Sequence, residues 1–485
     1  MKGTRQRTTL FIFILIAGLA WGAATVFGAE PVMVKDIWPN APSGIDTNNL
    51  FAGVNGILYF NAASGTTGQL WRSDGTESGT YMLAPEVDPS ELMGAGGTLY
   101  FRGYDADSNY YELWKSDGTA SGTTLLTNTN AYPVNLYRLN NALFFNASLL
   151  GTRDLYKTDG TAAGTVRLTT GSVNPDNLAD MNGTLYFAGR DPGSGWFGIW
   201  KSNGTASGTT QVKGFSDGRP MRLAHISGTL FFANCNAGGA WDLWETDGTD
   251  GGTSQLTNAD TRPEQLTGSK GTLFFRGYNA GSGHYELWKS NGTAGGTIRL
   301  TDAQVDPAFL IDLNGTLYFK GFAADSGDEL WKSDGTVSGT TKVTNANVSP
   351  YFIRNLNGTL YFTGHDATGG WELWKSDGTA SGTTRVTDIY AGLGDAFPQY
   401  LTDVNGTLFF AAVDGVHGKE LWKLTVYSPG GNSGSGGGGG GGGGCFLTAV
   451  KPEVCCAWVL PMLTTFFSFF FIKENFKKQP GKRHD

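Results

Sequence analysis

Residues 112–123 read ELWKSDGTASGT, and residues 372–383 read the same twelve letters. A near-copy, ELWKSDGTVSGT, fills 329–340. Repetition at a fixed interval restricts a chain to folds built by stacking one small unit. With the Trp as marker, the phrase falls at Trp71, Trp114, Trp200, Trp244, Trp288, Trp331, Trp374 and Trp422, and Tyr156 fills the one gap. The steps are 43, 42, 44, 44, 44, 43, 43 and 48 residues, so the chain holds nine units.

Each unit has the same grammar, shown by the eighth. Residues 351–356 (YFIRNL) read as a first strand, and Asn357-Gly358 as a two-residue hairpin turn in which both residues tolerate positive φ. Residues 359–363 (TLYFT) are a second strand, apolar on both faces, followed by the loop GHDATGG. Residues 371–376 (WELWKS) form a third strand, DGTASGT returns the chain, and 384–389 (TRVTDI) form a fourth. A loop carrying Pro398 leads to the next unit. A four-stranded antiparallel meander of this length is a propeller blade, and strands apolar on both faces suit blades covered by neighbours. The 73 Gly against 17 Pro fit many tight turns.

The ends of the array choose between an open stack and a ring. The last unit stops after 420–426 (ELWKLTV) and lacks a DGT stretch and a fourth strand. Residues 32–37 (VMVKDI) look like the fourth strand TRVTDI. Pairing them with the last unit removes both open edges. The expected fold is all-β: one β-propeller of nine four-stranded blades over residues 30–427, closed by the N-terminal strand.

The phrase resembles the bacterial ELWxxDGTxxGT repeat family, and the match covers most of 31–427. Copies at 154–165 (DLYKTDGTAAGT), 199–209 (IWKSNGTASGT) and 242–253 (DLWETDGTDGGT) depart from it. The resemblance implies an exported, surface-associated repeat protein and implies no reaction.

The flanks have a different composition. Residues 1–29 place Lys2, Arg5 and Arg7 before an apolar run from Leu10 to Phe27, with Gly28 and Ala29 as small residues for cleavage. That order is a secretory signal, with an uncleaved membrane anchor as the alternative. Residues 428–444 form a Gly/Ser linker ending in nine Gly, and Cys445 follows as a candidate processing or lipidation point. Residues 445–485 continue through the apolar stretch 457–472, with Pro461 inside, to a basic end. This segment resembles the C-terminal sorting signals of bacterial surface proteins and implies an anchor to the membrane. The formal net charge of −8 is the balance of +3 in 1–29, +3 after Tyr427 and hence about −14 in the repeats. An acidic domain repels phosphate backbones, so nucleic acid is not an expected partner. Of Cys235, Cys445, Cys455 and Cys456, only the first lies in the repeats, so packing and not an internal disulfide must hold them. A monomer is expected.

The Asp of the DGT stretch recurs as Asp74, Asp117, Asp159, Asp247, Asp334 and Asp377, with Asn203 and Asn291 in two units. Asp or Asn before Gly is turn chemistry, and the Asn copies would weaken a metal site. No cofactor or metal is therefore expected; calcium at these turns is the alternative. The repeated Trp reads as core packing, and its wording differs from the Trp motifs of quinone-dependent dehydrogenase propellers. His284, His365 and His417 sit in or beside the loops before the third strands, without metal-ligand spacing. No GxSxG, P-loop or spaced catalytic carboxylate pair is present, and no catalytic residue is assigned.

The variable wording lies in the second-to-third loops and the blade-to-blade loops, which share one face of a propeller. Aromatic residues gather there: Tyr104, Tyr110, Tyr111, Trp196, Phe197, Trp241, Tyr278, Tyr285 and Trp371. The bland reading is that they cover blade tops; the functional one is a glycan- or protein-binding face. The expectation is an exported, cell-surface, non-enzymatic binding or adhesion propeller. The alternatives are an extracellular polysaccharide- or protein-degrading hydrolase or lyase, and a purely structural envelope protein.

Overall fold

Asn-Gly pairs make the first hairpin of five of the nine blades, because a two-residue hairpin needs positive φ at both turn positions. Asn357 and Gly358 take 50° and 81°, and Asn405 and Gly406 take 52° and 81°. A computed structural model describes residues 30–39, 44–45, 51–63, 67–149, 151–366 and 368–425. The expectations for the signal at 1–29, the linker at 428–444 and the segment from Cys445 lie outside these residues.

Blade 2 shows the unit: Ser90–Ala95, Thr98–Asp105, Tyr110–Ser116 and Thr124–Leu125 pair in that order, all antiparallel. Nine such sheets follow one another, and their first strands lie side by side all the way round. Blade 1 is built from Ala52–Val54, Ile57–Ala62, Gln69–Ser73 and Tyr81–Ala84. Blade 9 takes Gln399–Val404, Thr407–Val413 and Lys419–Thr425 from the end of the array and Val32–Lys35 from its start. Met33 pairs with Trp422 and Val32 with Lys423. The ring is closed as the sequence implies, and no helix occurs among the described residues.

Packing runs between blades. Leu99 and Phe101 of blade 2 bury against Val54, Leu70, Leu83 and Val87 of the blade before. Trp114 then covers Phe101 at 6.1 Å, near-parallel at 21°. The wholly buried aromatic is thus the Phe of the second strand, and the marker Trp is its lid. The Trp114 indole N–H donates to the Gly103 carbonyl at 3.2 Å, and a Cβ on Gly103 would lie 2.8 Å from that indole. The closing interface is built like the others: Val404, Phe409 and Leu421 pack with Leu58, Phe60 and Trp71.

The stretch SDGTASGT is a turn that satisfies itself. In blade 2, Asp117 Oδ1 accepts the Thr119 N–H at 2.9 Å and its hydroxyl at 2.8 Å. Thr119 Oγ1 accepts the Gly122 N–H, Thr123 donates to the Thr119 carbonyl, and Ser116 meets Thr123 at 2.7 Å. Gly118 sits at φ 92° and donates to Ser116. The Thr119 hydroxyl and N–H together hold the Asp117 carboxyl below its ordinary range. Asn203 and Asn291 make the same two bonds through their amide oxygens. The turn therefore requires an acceptor and not a charge.

In four blades the Lys after the marker Trp clasps the next blade. Lys115 donates to Gly160 O at 2.7 Å, Lys201 to Gly248 O at 3.0 Å and Lys289 to Gly335 O at 2.7 Å. Lys423 of blade 9 reaches Gly75 of blade 1 at 2.7 Å, across the closing seam. Each target is the Gly of a DGT turn.

In blades 2, 3, 6, 7 and 8 the fourth strand is shorter than its sequence suggests, whereas Thr209–Phe215 of blade 4 pairs along its length. Residues 384–389 read as strand throughout, yet only Thr384–Arg385 pair. Blade 2 shows how the strand ends: Thr127 Oγ1 accepts the Leu113 N–H in place of a ladder partner and donates to buried Glu112. The chain leaves the sheet there and becomes the blade-to-blade loop. Near the start of the first strand lies a bulge in blades 2 to 9. It places Glu91, Asn135, Asn177, Arg222, Gln265, Phe309, Phe352 and Tyr400 at φ 50–60° on the innermost strands.

Two tests follow from the turn. A Cβ on Gly122 would lie 2.0 Å from Asp117 Oδ1, so Gly122→Ala should cost about 1–3 kcal/mol in urea unfolding. If the clash is the cause, Asp117→Ala/Gly122→Ala is no less stable than Asp117→Ala alone; a further loss in the double variant refutes it. Because Asn serves equally, we propose that no metal holds these turns. Melting should then be the same in calcium and in chelator, and a chelator-dependent fall would reinstate calcium.

Candidate functional site

The variable loops are held in place by buried acids. Glu112, the first letter of the phrase in blade 2, is fully buried beneath the loop to blade 3. Its carboxylate accepts the Thr127 hydroxyl and the Asn130 and Ala131 N–H groups. Glu286 does the same with Thr301, Gln304 and Val305, and Glu329 with Thr344 and Asn347. Asp154 and Asp242 serve blades 3 and 5. A buried carboxylate saturated by backbone donors is a rigid post.

Two posts differ. Glu372 accepts the Ile389 and Tyr390 N–H groups, and Glu420 those of Ile37 and Gly44. The equivalent of Thr127 is Lys35 at the seam, and Asp388 and Asp36 stand close by. Burial, with repulsion from the neighbouring Asp, pushes each carboxyl up to about 7.

The loops present cations stacked on rings. In blade 2 the Arg102 guanidinium lies 4.3 Å from the Tyr111 ring and 4.4 Å from Tyr132. Tyr104 and Tyr132 both meet Tyr111 edge-on, and Tyr111 donates to Asp88 at 2.6 Å. That bond, then burial, pushes the Tyr111 phenol up to about 12. In blade 6, Arg276 lies 3.4 Å from Tyr285 and pairs with Glu264 and Asp306, while Arg262 lies over Tyr278 and pairs with Asp260. In blade 7, Lys320 sits 4.2 Å from the Tyr351 ring and 2.8 Å from Asp328. Blade 9 adds a His417–Asp414 pair at 2.6 Å, in which the Asp414 hydrogen bond raises the imidazole pKa.

A run of rings crosses blades 7 to 9. Phe309 touches Tyr351 and Phe352, Tyr351 meets Trp371 at 5.4 Å, and Trp371 stacks on Phe397 at 5.5 Å and 16°. His365 closes on Trp371 at 4.6 Å. Phe352 and Phe397 are 39% and 36% exposed. Two hollows open elsewhere on this face. One of about 410 Å³ between blades 2 and 3 is lined by Thr129, Asn130, Tyr132, Ser148, Gly151 and Arg153. One of about 260 Å³ between blades 4 and 5 includes Trp196, Phe197, Phe215, Asp217 and Arg219.

The aromatic residues that the sequence points to are on this face but do not form one patch. Tyr104 and Tyr111 join at blade 2, while Tyr110 stands exposed beside them. Tyr278 and Tyr285 join at blade 6, Trp196 lines the smaller hollow, and Trp371 belongs to the ring run. The Trp241 backbone N–H donates to Asp260. Sequence reasoning missed Tyr132, Tyr351, Phe309, Phe352, Phe397, the stacked cations and the buried acids. An Arg or Lys directly after the second-strand LYF or LFF was the available signal.

No family model matches the sequence, and no match is found among curated proteins. Solved structures show weak likenesses. A puromycin hydrolase is 13% identical over 67% of this chain and 58% of its own, with a TM-score of 0.39. A puromycin-hydrolyzing peptidase of Mycobacterium tuberculosis is 13% identical over 68% and 60%, at 0.38. The oligogalacturonate lyase of Vibrio parahaemolyticus is 11% identical over 70% and 97%, at 0.40. The chain thus spans less than two thirds of the hydrolase and the peptidase. None of these likenesses bears on the activity of this chain.

The raised carboxyls predict a pH dependence. Below about 4.5, the ordinary value for Glu, both states hold the proton. As pH rises toward 7 the unfolded chain releases it first, so stability is lost across that window and levels off above it. A tenfold difference in proton affinity between the folded and unfolded chain is worth about 1.4 kcal/mol. The melting temperature should fall from pH 5 to pH 8, and Asp36→Asn, which removes a charge beside Glu420, should shrink the fall. An unchanged fall in that variant would refute the coupling.

Proposed function

We propose that this protein is a non-enzymatic binding propeller, exported and displayed at the bacterial cell surface, that engages a glycan chain through its variable-loop face. The ring run over blades 7 to 9 carries this reading. Flat, partly exposed rings held rigid by their neighbours offer faces for the C–H side of sugar rings. Polar groups at the same rim, Lys320, Asp328, His365 and Asp395, can take hydroxyls. A site built on fixed strands above buried, hydrogen-bonded carboxylates needs little ordering on binding. Surface display rests on the signal-like 1–29, the sorting-like tail and the resemblance to exported repeat proteins.

A glycan array followed by titration calorimetry tests the reading. Trp371→Ala combined with Phe352→Ala should weaken the best glycan at least tenfold, about 1.4 kcal/mol, without lowering the melting temperature by more than a few degrees. Release of reducing ends or peptides from a polymer would instead favour the hydrolase or lyase reading, with the His417–Asp414 pair as the first group to test. Silence in both assays would leave the structural envelope reading. Mass spectrometry of both mature ends checks export and processing at Ala29 and Cys445.

A further inference from the structure

The repeats allow one blade to serve as the control for another. Arg276 of blade 6 and Arg102 of blade 2 occupy the same place, each following the second-strand Phe. Arg276 is opposite Glu264 in the register and pairs with it, and Asp306, just before Pro307, takes its other side at 2.7 Å. The matching positions around Arg102 are Ser90, its register partner, and Tyr132, just before Pro133. Both carboxylates have been replaced. Arg102 has no ion pair among the described residues, and its Nε is buried without a partner. The nearby Asp88 accepts the Tyr111 hydroxyl.

Tyr132, one of the two rings stacked on Arg102, also lines the 410 Å³ hollow between blades 2 and 3. Arg153 is the only charged residue in that lining, and it too has no carboxylate partner among the described residues. Thr129, Asn130 and Ser148 add hydroxyl and amide groups. The volume is that of a small-ligand site. One free guanidinium in the lining, a second behind the ring, an aromatic wall and neutral hydrogen-bonding groups match a single anionic group carried on a polar ring.

We propose that this hollow binds the carboxylate of an acidic sugar, with Arg153 forking the carboxylate and Tyr132, braced by Arg102, against the sugar ring; this rests on the glycan reading above. The ligand is then a uronate-containing chain that runs over the loop face.

Calorimetry on the full-length protein compares a polyuronate with its carboxyl-reduced, neutral form. The native protein should bind the polyuronate at least tenfold more tightly, and the gap should narrow as salt rises. Arg153→Gln should abolish the gap and leave binding to the neutral form intact. Arg153→Lys, which keeps charge but loses the fork, should retain part of it. Arg102→Met should narrow the gap, and the paired-arginine control Arg276→Gln should not. Equal binding of the two polymers, or a gap that survives in Arg153→Gln, overturns the acidic subsite while leaving the glycan reading in place. Failure to bind either polymer or any arrayed glycan overturns both. Displacement of the polyuronate by polyglutamate at equal carboxylate concentration overturns the sugar assignment.

Discussion

Everything in this fold depends on closing the ring. Nine meanders in series leave one raw edge at each end, and a sheet edge with unpaired N–H and C=O groups invites pairing with another chain. Val32–Lys35 removes both edges at once by completing blade 9. The cost of bringing together residues almost 400 apart grows only slowly with separation. Several contacts then secure the seam: the strand pairing, Glu420 on the Ile37 and Gly44 N–H groups, Lys423 on Gly75, and the same apolar packing as any other interface. The seam is a normal blade interface whose parts come from opposite ends of the sequence.

Closure also explains which letters repeat. The DGT turn supplies a carbonyl for the Lys of the preceding blade, and that Lys stands on the strand that carries the Trp lid. One short phrase thus contains both halves of an inter-blade joint. Its Glu adds a third function on the opposite rim, where it holds the loop to the next blade. A residue drawn from a constant phrase therefore sets the geometry of the variable one. In blades 8 and 9 the Glu is retained while its surroundings change, and the carboxyl is pushed toward neutrality by burial and an adjacent Asp.

What sequence reasoning reached was local. Asn-Gly hairpins, second strands apolar on both faces and the self-capped turn each depend on residues within about eight positions, so the blades and their order were legible; the closing strand was legible from the likeness of 32–37 to the fourth strand at 384–389. The fourth strand was overestimated because Thr127 breaks the ladder with its side chain, and a Thr in a β-rich run reads as strand. The buried Glu was missed because a charged residue in a strand reads as solvent-facing until a loop from 15 to 19 residues away covers it. The stacked cations were missed for a related reason. Arg102 and Tyr132 are 30 residues apart and meet only once blade 3 is docked on blade 2.

The same logic separates scaffold from recognition. A repeat protein can vary one position without disturbing the next blade only if the surrounding bonds are saturated by the backbone and the constant phrase. That condition holds on the loop rim. At the place after the second-strand Phe, Asn146 and Thr363 donate to the carbonyls of Pro175 and Pro398, while Arg276 pairs with two acids and Lys320 with one. Arg102 occupies that place with none of these acceptors. In the other four the acceptors all lie within the protein. Arg102 is held instead by the faces of Tyr111 and Tyr132, and on our proposal it braces the ring that a ligand would meet, which is how a part of the scaffold comes to serve a site in a chain made of copies.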